Sequence, residues 1–337
     1  MKLVKAALMG ALLSVSGPLT AMAQDLVLSS WLPPRHPVVI NAIKPWAKQV
    51  KEVTEGRVNV RVLAKPLGSP PAHFDMARDG VADITYGLHS FTKDDRFKKA
   101  RIGQFSFLGD DAVKSSEAFW TVYNDKLDAR EEHKGTHLLG LFMHGPGLFH
   151  NNKTAINKLE DFSGLKIRVP GGYIPDLLKG YGVEPVFMSS GEIYEKLSRG
   201  VVDGVTITYE AITSFKLTDY VTNTTIFPGG LYNTTWFLVM NEDKWNGISE
   251  ADRKAIEGIS GMAFADLVGK AWNDADAKAI GAMEKAGIKI APAPDAVVDS
   301  VRARAAELEG AWADSLGGDY DGRAALEAFR AMTGVGK

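Results

Sequence analysis

Residues 183–208 read VEPVFMSSGEIYEKLSRGVVDGVTIT, and how they are parsed decides the fold. The run VEPVFM reads as a strand, SSGEIYEKLSRG as a helix and VVDGVTIT as a second strand. Ser189 and Glu192 have the spacing of a capping box, which satisfies two free N–H groups where the helix starts. Gly200 stands where the chain leaves that helix through a left-handed turn. The same phrase occurs earlier, as the strand RVNVRVLA, the helix PPAHFDMARDG with Gly80 at its end, and the strand VADITYG. DGVADIT (79–85) and RGVVDGVT (199–206) are near-copies. Two readings stay open. A helix followed by Gly-Val-x-Asp and a strand is a common way into a parallel sheet, so the echo can be coincidence. Alternatively the chain holds two similar α/β lobes, each with its own strand-helix-strand unit and helices on both faces of its sheet.

Working outward, DLVLSSW (25–31) alternates as a half-buried strand does, and the three prolines of LPPRHP (32–37) require a loop. A helix is expected from Val38 to Thr54. A long helical stretch is expected from Ser249, where Ser249 and Asp252 can cap it, with Ile256, Ile259, Ala263, Leu267 and Trp272 on one buried stripe. GIKIAPAP then reads as a strand and a proline turn, and the tail from Asp295 to Met332 as amphipathic helix. No low-complexity linker interrupts the chain. The fold class is therefore α/β with two lobes, joined by strands and by a long helix that spans both, an arrangement that permits hinge closure. The expected division is 24–144 plus 233–272 for lobe I and 145–232 plus 273–337 for lobe II.

The N-terminus bears on the compartment. Lys2 and Lys5 precede an apolar run to about Val15, and the segment ends in Ala21-Met22-Ala23. This is the pattern of a cleaved signal peptide over residues 1–23, so a periplasmic protein beginning at Gln24 is expected. With no cysteine in 337 residues, neither a disulfide nor a thiolate metal site holds the fold, and burial of the 45% hydrophobic residues must do so. Loss of Lys2 and Lys5 takes the formal charge from −2 to −4, which argues against a nucleic-acid partner and for a small ligand.

In GLKIRVPGGYIPDLL (164–178), Leu165, Ile167 and Val169 share one face of a strand, and Lys166 and Arg168 share the other. Alternation alone fits a solvated polar face. Arg168, however, stands at the carboxyl end of its strand, where open α/β sheets bind ligands. Pro170-Gly171-Gly172 lets backbone approach closely, and a helix starting near Tyr173 would aim free N–H groups at the same space. A planar guanidinium there suits a carboxylate.

GLKIRVPGG, EPVFMSSGEIYEKLSRGVVDGV, FKLTDYVTNT and FLVMNEDKWNGISEADRKAI occur in this order behind a signal peptide. As a set they resemble the periplasmic solute-binding subunits of tripartite ATP-independent periplasmic (TRAP) transporters, the family often labelled C4-dicarboxylate-binding. The resemblance covers essentially the mature chain. It implies a periplasmic binding-protein fold that closes over an organic acid and delivers it to a small and a large integral membrane subunit driven by sodium. It also implies that Arg168 holds the ligand carboxylate. No cofactor is expected. Some members carry a second arginine in the loop entering the second lobe; the matching stretch here is HGPGLFHNN, with Gly147 near that place, so a second acidic group on the ligand is not expected.

Trp31, Tyr86, His89, Phe187, Tyr209 and Trp236 all stand at or near expected strand ends, where the cleft should lie. They point to a monocarboxylate whose remaining part is held by apolar or stacking contacts. A sulfonate would satisfy similar geometry. His36 in the proline loop and His144 between the lobes are further ligand candidates, whereas His150 reads as structural. His133 and His137 are spaced i, i+4, but Gly135 between them removes the helix a metal pair would need. Relatives that hold a metal do so near the strand matching GVTIT; Thr206, Thr208, Tyr209 and Glu210 stand there, and no metal is expected. An enzyme is the competing class, but no G-x-S-x-G elbow, Walker loop, G-x-G-x-x-G helix start or H-E-x-x-H occurs. The same receptor serving a sensor kinase is the other alternative.

Overall fold

The computed structural model describes residues 23–92 and 94–335, so the expected leader lies outside them except for Ala23. The strands run in chain order as β1 (Gln24–Ser29), β2 (Val58–Val62), β3 (Ile84–Leu88), β4 (Thr136–Met143), β5 (Leu148–Asn151), β6 (Lys166–Val169), β7 (Glu184–Phe187), β8 (Gly204–Ile207), β9 (Asn223–Ile226), β10 (Thr235–Asn241) and β11 (Lys289–Pro292). They form two sheets, ordered β2-β1-β3-β10-β4 and β11-β9-β5-β8-β6-β7.

The near-copied phrases occupy equivalent places. β1-β2-β3 and β6-β7-β8 are each parallel, with the first strand in the middle. Gly80 and Gly200 both turn left-handed, at φ 72 and 68, which a residue with a Cβ adopts only under strain. The two aspartates then make the same tie. The Asp83 N–H donates to the Val27 carbonyl while its carboxylate accepts from the Val27 N–H at 2.7 Å. Asp203 does likewise with Lys166, donating at 2.7 Å and accepting at 2.9 Å. Each Asp therefore locks the third strand of its unit to the first, and the echo marks a repeated unit rather than a coincidence.

The expected long helix divides. Ser249 caps a helix over Glu250–Gly258, and Gly261, at φ 56, starts a second that runs Met262–Lys285. The Gly261 N–H donates to the Leu139 carbonyl at 2.7 Å, and the Trp120 ring lies where a Cβ would sit, so β4 and its covering helix impose the break. The 24-residue second piece, about 36 Å at 1.5 Å per residue, spans both lobes. Its Phe264 and Val268 pack in the core of the first sheet, and its Ala279 and Met283 in that of the second.

Two backbone crossings run beside it, 144–147 between β4 and β5 and 227–234 between β9 and β10. They pair once, the Gly147 N–H donating to the Tyr232 carbonyl at 3.0 Å and the Leu231 N–H to that of Gly147 at 2.9 Å. The helix Asp295–Ser315 packs on Ile174–Lys179 beside the second sheet, while Gly322–Thr333 returns to pack on Ala112–Asp125 beside the first. Among the described residues no helix is long and apolar enough to cross a membrane.

Candidate functional site

Arg168 is the middle of the site. It pairs with Val186 on one side and Val205 on the other, so its side chain stands over the carboxyl ends of β7 and β8. It is 2% exposed. Its Nε–H donates to the Met188 carbonyl at 3.0 Å and its Nη1–H to the Thr206 carbonyl at 3.2 Å. Among the described residues no carboxylate lies within ion-pair distance of it. Burial pulls its pKa down to about 10, while the Tyr232 and Glu192 side chains pull it back up, so it stays a cation at neutral pH. Removing a guanidinium from water without an anion is costly, and two carbonyls replace only part of its hydration.

The guanidinium lines a cavity between the two sheets. Of the residues expected from sequence, Arg168, His36, His144 and Trp236 line it. One wall is aromatic. Trp236 stands on Trp272 of the long helix at 5.3 Å between ring centroids, and Trp31 stacks behind Trp236 at 5.4 Å and 4°. Leu32, Leu88 and Ile207 complete the apolar surface.

His36 and Glu210 meet across the cleft. The His36 loop follows β1 in the first lobe, and Glu210 opens the helix Tyr209–Ser214 after β8 in the second. His36 Nδ1 accepts from the Val38 N–H at 3.3 Å, so Nε2–H donates to Glu210 Oε1 at 3.1 Å. Burial by itself would raise the Glu210 carboxyl, but His36, the Ser214 hydroxyl at 2.6 Å and the nearby Trp272 outweigh it and hold the group below the usual range. Asp276 on the long helix accepts the Glu210 N–H at 2.8 Å; its own carboxyl is pushed up to about 8 by burial, with the Glu210 charge adding to the shift. The pair is thus one ionised and one protonated acid.

The structure does not bring the other expected residues to the cavity wall. Tyr86 is core: its hydroxyl bonds to Ser30 Oγ at 2.7 Å and accepts from the Leu32 N–H at 3.1 Å. His89 turns into the first lobe, with its Nε2 at 3.1 Å from that of His133, whose Nδ1 meets the Tyr123 hydroxyl at 3.0 Å. Burial draws His89 down to about 3 and His133 well below its ordinary value, so both are neutral packing groups. Tyr209 lines a separate groove with Pro146 and Phe227, and Phe187, 44% exposed, packs on Phe91 at the cleft mouth. Trp31 reaches the cavity only through Trp236. His150 is held on both nitrogens, by Thr224 Oγ1 at 2.8 Å and the Ile207 carbonyl at 3.2 Å.

The helix expected to aim its N-terminus at the ligand does not. The Tyr173 N–H donates to Gln104 Oε1 at 3.3 Å, from the opposite lobe. Gly171 and Gly172 serve that contact, since a Cβ on either would strike Ser90 or Gln104. Gly147 is similarly forced, because the Tyr232 ring and carbonyl occupy the place of any side chain there. Tyr232, Trp272, Thr208 and Thr234 line the cavity without having been expected to. Burial pushes the Tyr232 hydroxyl up to about 12, against the pull of Arg168, so it stays a donor. Among the described residues no group of three His, Asp or Glu side chains is placed to hold a metal.

Residues 28–312 match the family model described as bacterial extracellular solute-binding protein, family 7. A TRAP periplasmic solute-binding protein from Bordetella bronchiseptica, solved with bound (R)-mandelate and (S)-mandelate, is 40% identical, with a TM-score of 0.88 over 92% of this chain and 98% of its own. A TRAP solute-binding protein from Rhodoferax ferrireducens T118, solved with copurified benzoate, is 29% identical, with a TM-score of 0.84 over 92% of this chain and 97% of its own. The outer membrane transporter protein TsaT of Comamonas testosteroni is 33% identical over 340 aligned residues, 100% of this chain and 98% of that protein.

Proposed function

The chain belongs to the bacterial extracellular solute-binding proteins of family 7 and is a TRAP solute receptor, and we propose that it captures a monocarboxylate bearing an aromatic ring. Arg168 takes the carboxylate, and the Trp236–Trp272 wall takes the ring. The protein is exported by its cleaved leader, works in the periplasm, and hands the acid to the two sodium-driven membrane subunits. Its lobes are 24–144 plus 233–272 and 145–232 plus 273–337, hinged at the two backbone crossings. Solute binding, not catalysis, is the business of this family.

One observation carries the ligand class: a buried cation without a carboxylate partner among the described residues, facing a space walled by tryptophans. Micromolar capture needs about −8 kcal/mol. Two charge-assisted hydrogen bonds supply roughly 1.5 to 3 kcal/mol each. Burial of the ring against the wall must furnish the remainder. The mandelate and benzoate held by similar receptors support the same class.

A thermal-shift screen of the mature protein tests the reading. Benzoate, phenylacetate and mandelate are expected to raise the transition, by about 2.7 kcal/mol of stabilisation at a hundredfold excess over Kd, and succinate is not. A shift with succinate and none with the aromatic acids would overturn it.

A further inference from the structure

The cavity has a second polar pole, and its hydrogen-bonding capacity is unspent. His144 Nδ1 lies against the Gly145 carbonyl. A carbonyl can only accept, so Nδ1 carries the proton. Burial holds the ring's pKa down at about 4, against the raising effects of that bond and of Glu210, so the ring is neutral and its Nε2 is a bare lone pair. No described side chain donates to that nitrogen. The Trp272 indole N–H is buried and has no hydrogen-bond partner at normal distance among the described residues; the Glu210 carboxylate, which it helps to keep ionised, is the acceptor near it. The two rings stand 6.0 Å apart between centroids, and both line the cavity. An acceptor and a donor left open on neighbouring rings that line one cavity match a single oxygen that donates to the first and accepts from the second, each bond being about 2.8 to 3.0 Å. A hydroxyl does both; a C–H does neither. His36, with both nitrogens already engaged, is not the ligand's partner but the group that orients Glu210 beside this pole.

Resting on the aromatic-acid reading above, we infer that the site is built for a hydroxylated acid, with the ligand hydroxyl placed between His144 Nε2 and the Trp272 N–H. A pocket that hydrogen-bonds a hydroxyl discriminates strongly against the analogue lacking it, because buried polar groups are then left unpaired.

Calorimetric titration with matched pairs tests this: mandelate against phenylacetate, and 3-hydroxybenzoate against benzoate. In at least one pair the hydroxylated member is expected to bind tenfold or more tightly. Trp272→Phe, which keeps an aromatic ring and removes the N–H, is expected to shrink that ratio to threefold or less. His144→Phe is expected to act in the same direction. Equal affinity within both pairs for the unmodified protein, or a ratio unmoved in both variants, overturns the hydroxyl assignment and leaves the receptor reading standing. Failure of all four acids to bind would take both down together.

Discussion

Two arginines in buried surroundings end on different partners. Arg330, on the helix Gly322–Thr333, meets Glu309 of the helix Asp295–Ser315 through both edges of its guanidinium, at 2.6 Å and 3.1 Å. Burial raises the Glu309 carboxyl and Arg330 draws it back down, so cation and anion compensate one another within the chain. Arg168 is more deeply buried, yet among the described residues it has only the Met188 and Thr206 carbonyls. A structural ion pair brings its counter-ion with it; a receptor leaves that place for the ligand.

Mutation can break or sharpen this contrast. The largest effect belongs to Arg168→Ala, which in the proposed binding mode removes two charge-assisted hydrogen bonds to the ligand. Affinity for the best acid of the screen is expected to fall by about a hundredfold or more. Arg330→Ala should do the reverse. It leaves Glu309 buried without its cation and is expected to cost about 2 to 3 kcal/mol of stability, less than a fully buried pair would because Arg330 is 28% exposed. Urea unfolding measures that loss, and Kd for the same acid should move less than threefold. If Arg330→Ala abolished binding at normal stability, the distinction between the two arginines would be lost.

The smallest effect is expected at Asp276, whose burial pushes its carboxyl up to about 8 from an ordinary value near 4. Between those values the folded protein holds a proton that the unfolded chain releases, so this group makes stability fall as pH rises from about 4 to about 8. Asp276→Asn deletes that slope. The variant should gain about 1 to 2 kcal/mol relative to the unmodified protein on going from pH 5 to pH 6, measured by urea unfolding at both. Parallel pH dependence in the two proteins would show Asp276 to be ionised in the fold.

What the sequence reveals follows from how local each cause is. The repeated unit could be read because its glycine turn and its aspartate tie are made within one strand-helix-strand segment. Arg168 could be read because alternation and a strand end are local too. Which aromatics line the cavity could not. Trp31 and Trp236 both stand at strand ends, but the register of β10 against β3 sets Trp236 in front and Trp31 behind. A strand end fixes the height of a side chain in the sheet, not which neighbour covers it. Tyr232 and Trp272 come from a crossing segment and from the middle of a helix, and they become site residues only because the lobes meet there. The misplaced helix N-terminus has the same origin, since the group that takes its first N–H, Gln104, belongs to the other lobe. Gly261 shows the limit within a helix: its neighbours carry a helical stripe, and only contact with Trp120 and Leu139 explains the break.

Titration of an aromatic acid into the Arg168→Ala protein, run beside urea unfolding of its unliganded form, tests most directly whether this guanidinium waits for an anion from outside. The binding heat should vanish while the unfolding midpoint stays where it is in the unmodified protein. Retained binding within threefold of the original, or a collapse of the unliganded midpoint, would mean that Arg168 holds the fold and that the carboxylate docks elsewhere.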